Sequence, residues 1–176
     1  MAGVPARIGG DLPHDAGMPP DPSTDLQRAL KHAAAAGDVD VVAYLCDLPR
    51  DRCVDPSANA NEAIQHAALG GHVDVVAYLC DLPSDRGVDP SAYGNMAIQL
   101  AASNGHVDVV RYLCDLPLDR GVDLSEHGNI TIQEAASRGH VDVVAYLCDL
   151  LYHVIEVWTR QHGTAKPSST QRYAAM

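Results

Sequence analysis

Residues 96–114 read Met96-Ala97-Ile98-Gln99-Leu100-Ala101-Ala102-Ser103-Asn104-Gly105-His106-Val107-Asp108-Val109-Val110-Arg111-Tyr112-Leu113-Cys114. Ala97, Ile98, Ala101 and Ala102 fall at i, i+1, i+4 and i+5, which is one stripe of a short helix. Val109, Val110, Leu113 and Cys114 repeat that spacing and predict a second helix with the same kind of face. Gly105 stands between them, where a residue able to take φ > 0 ends one helix before the next begins. Asp108 falls in the first turn of the second helix, where its charge complements the helix dipole. Pro117 ends that helix, and Gly121 with Asp123 marks a turn-rich connector. Two helices of roughly 8 to 10 residues are too short to stand alone in water. They need neighbours.

The chain supplies them. The string Gly-x-Val-Asp-Val-Val-x-Tyr-Leu-Cys-Asp-Leu begins at Gly37, Gly71, Gly105 and Gly139, a constant period of 34 residues. A second marker, Asp-Pro-Ser, falls at Asp21, Asp55 and Asp89 and becomes Asp-Leu-Ser at Asp123. Residues 55–88 and 89–122 agree at about three-quarters of their positions. The expected fold is an all-α repeat solenoid of stacked helix-turn-helix units with extended connector loops, in which each unit buries its stripes against the next. The units are set at 21–54 (an N-terminal cap), 55–88, 89–122 and 123–150. Leu151, Val154, Ile155 and Trp158 keep helical spacing past the last unit, which predicts a capping extension of the final helix over 151–163, reaching about Arg160. Residues 1–20 and 164–176 carry Pro, Gly, Ser and Ala without periodicity and are expected to be disordered tails. Asp11-Leu12-Pro13 looks like a worn connector from an earlier unit.

A period of 34 is nominally the tetratricopeptide length, but that pattern wants Trp and Phe at set places, and the repeats contain neither. Instead, residues 96–114 resemble the ankyrin pattern T-P-L-H-x-A-A-x-x-G-H-x-x-V-V-x-L-L-L. The resemblance covers roughly residues 21 to 150. It departs in three ways: Ala or Thr replaces the Pro, Gln replaces the first His, and one residue is added, which we place in the Leu-Pro-x-Asp-Arg stretch. Repeats of this wording are similar to those of large ankyrin families in protists, algae and giant viruses. The resemblance implies an intracellular protein-binding module whose ligand meets the connector tips and the inner face of the first helices. It also implies that His72, His106 and His140 order their turns by hydrogen bonding.

Composition agrees. Apolar residues make up 47% and charged residues 20% of the 176, so the chain can fold, and with no Phe its core must come from Ala, Val, Leu and Ile. A formal net charge of −11 argues against nucleic acid or an anionic membrane as partner and favours a neutral or basic protein surface. No stretch approaches a membrane span, and no apolar signal core opens the chain. Five cysteines without a secretion signal point to a reducing, cytoplasmic setting.

Catalysis, metals and cofactors find no motif: there is no H-E-x-x-H, C-x-x-C, phosphate loop or G-x-S-x-G. Cys46, Cys80, Cys114 and Cys148 each take an aliphatic position and read as small hydrophobes. Cys53, where later units have Gly87 and Gly121, is the one thiol expected to be exposed or locally strained. No residue is assigned a catalytic, cofactor-binding or metal-binding role. The alternative reading, chemistry in the C-terminal tail, would rest on Trp158, Arg160, His162, Lys166 and Glu156. A further alternative is a remnant array with no dedicated partner.

Packing holds framework positions constant, so a partner is best sought where the units disagree. Disagreement concentrates at the tips, with Asn59, Tyr93 and His127, and on the first helix, with Glu62, Met96 and Ile130. One turn on come His66, Leu100 and Glu134, followed by Leu69, Ser103 and Ser137 and then Gly70, Asn104 and Arg138. These rows are expected to form a concave strip with an apolar centre at Tyr93, Met96, Leu100 and Ile130, flanked by polar His127 and Glu134. The chain is expected to be a monomer.

Overall fold

The computed structural model describes residues 22–48, 54–117 and 124–162. Among them are eight α-helices and no strand. They pair as α1 (Pro22–Ala36) with α2 (Val39–Cys46), α3 (Ala58–Gly70) with α4 (Val73–Asp81), α5 (Ala92–Ser103) with α6 (Val107–Cys114), and α7 (Leu124–Ser137) with α8 (Val141–His162). First helices pack in the order α1–α3–α5–α7 and second helices in the order α2–α4–α6–α8. Each helix therefore touches its own partner and its counterparts in the adjoining units. This is the stacked solenoid expected from the period. Cys53 and the two tails lie outside the described residues.

The stripes do the packing. Val75, Val109 and Val143 are completely buried, as are Val76, Val110, Ile64, Ile98, Ala101 and Ala102. Burying a Val or Ile side chain contributes about 1.5–3 kcal/mol, so two stripes per unit outweigh the poor intrinsic stability of helices this short.

Polar groups set the register between units. Gly37, Gly71, Gly105 and Gly139 take φ of +76 to +79°, a left-handed turn that L side chains rarely adopt. The first three have a second reason to be glycine. A Cβ at Gly37, Gly71 or Gly105 would fall 2.4–2.5 Å from Nδ1 of His72, His106 or His140, each belonging to the next unit. Those imidazoles donate Nε2–H to the carbonyls of Ala35, Leu69 and Ser103, each at 3.0 Å. The glycine–histidine pair is thus a staple between units. Asp38 occupies the histidine position in the first unit and does other work: its carboxylate accepts from the Val41 amide and caps α2.

The Asp-Pro-Ser marker folds as a tight side-chain turn. Asp55 accepts from the amide and hydroxyl of Ser57, and Asp89 does the same for Ser91. The next turn is clasped from the unit before it: Gln27 exchanges two bonds with the Asp55 backbone, and Asn61 accepts from the Asp89 amide at 3.0 Å.

The first helices are longer than the sequence suggested, at 12 to 15 residues against 8 to 9 for α2, α4 and α6. In α5 the cause is local. Tyr93, Gly94 and Asn95 wind left-handed, and only Met96–Ser103 is a regular right-handed helix. Asn59 and Asn61 are left-handed at the same positions in α3. Among the described residues of the first unit no left-handed tip forms, and α1 runs on from Pro22. A 3₁₀ turn, Ser84–Arg86, falls in the Leu-Pro-x-Asp-Arg stretch, and its Arg86 guanidinium donates back to the Cys46 carbonyl.

Candidate functional site

Each strip position is carried by a first helix or its tip, and the tips have a specific build. The Asn95 amide bonds to the Ser91 carbonyl at 2.9 Å and the Gln99 side chain to the Gly94 carbonyl at 2.6 Å, closing a left-handed turn. Tyr93 sits inside that turn at φ 56° and is 72% exposed. A bulky side chain in the left-handed region costs about 1–2 kcal/mol. The turn therefore holds an aromatic ring in solvent against both its backbone preference and its hydrophobicity.

Behind the tip, Met96 and Leu100 are half-buried on α5, and Ile130 on α7 is 45% exposed. Glu134 is exposed, and its carbonyl accepts from the Ser137 hydroxyl at 2.9 Å. His127 lies on α7, with its side chain outside the described residues.

In the second unit the strip residues touch one another. Glu62 accepts from Asn59 at 3.3 Å, faces His66 at 3.5 Å and forms an ion pair with Lys31 of α1. The lysine bond, aided by Asn59 and His66, lowers the Glu62 carboxyl pKa despite some desolvation. Lys31 was missed by comparing units. Its signal was present all the same, because Lys31 stands where the later units have Gln65, Gln99 and Gln133. Of the rows further down, Leu69, Gly70, Ser137 and Arg138 are exposed, Asn104 is half-buried and Ser103 alone is buried. Ser103 is buried with its hydroxyl bonded back to the Leu100 carbonyl, and Asn104 donates to that same carbonyl at 2.8 Å. Both side chains fold back on the end of α5.

The reactive side chains are otherwise engaged. Burial pushes the Cys46 thiol up to about 11 and the Cys114 thiol to about 12, which keeps both protonated and poorly nucleophilic. His72, His106 and His140 serve as staples. In the C-terminal extension Arg160 pairs with Glu156 one turn away, at 2.7 Å. Among the described residues no three His, Cys, Asp or Glu side chains converge as a metal site.

A family model of ankyrin repeats, in three copies, matches residues 82–160. Residues 82–160 are ankyrin repeats. No curated protein and no solved structure matches the chain. Ankyrin repeats are in general protein–protein interaction modules and are typically non-catalytic. No described helix is long and apolar enough to cross a membrane.

Proposed function

We propose that this protein is a non-enzymatic adaptor or targeting module that binds a protein partner along the strip of connector tips and first helices. The observation that carries the reading is Tyr93, an exposed aromatic held in a strained left-handed turn. Strain of this kind persists where surrounding structure over-determines it, and it clusters at functional positions. In this reading Met96, Leu100 and Ile130 extend an apolar centre behind it and Asn59, Glu62, His66 and Glu134 supply a polar surround, to which His127 is assigned by its position in the repeat, the arrangement of a protein interface. The net charge of −11 fits a partner whose contacting surface is neutral or basic. A reducing, cytoplasmic setting belongs to the same reading, and the four free cysteines among the described residues are compatible with it.

The test is to capture partners on the wild-type protein, then titrate the partner so identified against Tyr93→Ala/Leu100→Ala. Loss of an aromatic anchor is expected to weaken binding by about 2 kcal/mol or more, roughly thirtyfold. Unchanged affinity with an intact helical spectrum would remove the strip from consideration.

A further inference from the structure

We propose that the two end faces of the stack dock head to tail, so that the first unit of a second copy of this chain seats on the fourth unit of the first. The argument compares equivalent positions along the array. On the side of each unit facing the one before it, Val75, Val109 and Val143 are 0% exposed, whereas Val41 of the first unit is 42% exposed. Tyr78 and Tyr146 are half-buried near Cys46 and Cys114 of the units before them, whereas Tyr44 is 68% exposed. On the side facing the unit after, Ala34, Ala68 and Ala102 are fully buried, whereas Ala136 is exposed. Val73 and Val107 are half-buried, whereas Val141 is 73% exposed; Cys46 and Cys80 are buried, whereas Cys148 is exposed.

The two open faces are therefore the two halves of one interface, and that interface is assembled three times inside the molecule. Complementarity of shape is given by the repeat itself, since the second helices of all four units share one sequence string. The extension of α8 leaves Val141 and Cys148 in solvent. A contact between two different faces is heterologous, and unless it closes into a ring it adds copies along a line.

One part of the internal interface is missing. A Cβ at Gly139 would meet nothing within 4 Å, whereas Gly37, Gly71 and Gly105 are each covered by a histidine. The first unit brings Asp38 to that place. The end-to-end contact accordingly lacks the staple and is weaker than its internal counterparts. A monomer prevails in dilute solution, and association appears on concentration.

The test is sedimentation equilibrium of the full chain from roughly 10 µM to 1 mM, the range in which a weak contact of this size is populated. Wild-type mass is expected to rise with concentration. Tyr44→Glu and Val141→Glu, both at exposed sites, should each be monomeric throughout. Mixed together, they should form a heterodimer that grows no further, because each keeps the face the other has lost. Asp38→His should supply the missing staple to Gly139 and the Ser137 carbonyl, lowering the concentration for association roughly fivefold. It should fold, since His72 and His106 open α4 and α6 without a side-chain cap bond. A wild-type chain that stays monomeric at the top concentration overturns the proposal. So does a mixture of the two variants that fails to pair, or association that Tyr44→Glu leaves untouched.

Discussion

Replacing Gly71 with Ala tests the staple between units. Two costs are visible at that position. The backbone holds φ +76°, which costs an L residue about 1 kcal/mol relative to glycine. The new Cβ would also lie 2.5 Å from His106 Nδ1, so the imidazole must move and its bond to the Leu69 carbonyl is lost, for about 1 kcal/mol more. Gly71→Ala should therefore lower unfolding free energy by about 2 kcal/mol. His106→Ala removes the obstacle along with the bond. In that background Gly71→Ala should cost only the backbone part, about 1 kcal/mol, leaving a coupling near 1 kcal/mol. Gly139→Ala provides a second control, because its φ is +79° and nothing lies within 4 Å of a Cβ there. Urea unfolding followed by far-ultraviolet circular dichroism on the four variants measures all of these. Strict additivity of Gly71→Ala and His106→Ala would refute the staple.

Thiol chemistry should divide the cysteines. With burial holding the Cys46 pKa near 11 and the Cys114 pKa near 12, a disulfide exchange reagent at pH 8 should modify exposed Cys148 well before either of them. Because the folded values are raised, the linked stability is whole below the unfolded value of 9.0 and is lost as pH climbs through about 11 and about 12; an alkaline titration of helicity should show that decline and none below pH 9. At Glu62 the sign is opposite. Its pKa is depressed chiefly by Lys31, so the pair contributes above the unfolded carboxylate pKa and is lost on acidification. Lys31→Ala should raise the Glu62 pKa in a carboxyl NMR titration while costing less than about 1 kcal/mol, since the pair is partly solvated.

Residues whose role recurs in each unit could be read from the sequence, because repetition reports packing directly. Val109 and Ala101 were identified as core by spacing, and both are fully buried. The histidines were expected to order turns, and they do so by reaching into the preceding unit. The tips were not readable in detail. The left-handed winding of Tyr93-Gly94-Asn95 goes with a local bond from the Gln99 side chain to the Gly94 carbonyl, which hydrophobic periodicity does not encode. Ser103 and Asn104 looked like surface variation, yet both side chains donate back to the Leu100 carbonyl at the end of α5. Comparing units cannot separate a position that varies freely from one that varies because each helix ends differently. Lys31 was passed over for a related reason: its partner lies in the next unit, so only pairing charges across the interface would have found it.

The bonds described above that tie one unit to the next join residues 28 to 40 apart, from Gln27–Asp55 to Arg86–Cys46. No step in assembly therefore requires distant parts of the chain to meet before nearby ones have docked. Growth by whole periods follows: a 34-residue insert placed at a connector would arrive with its own histidine, glycine and aspartate, and neither flank would need redesign.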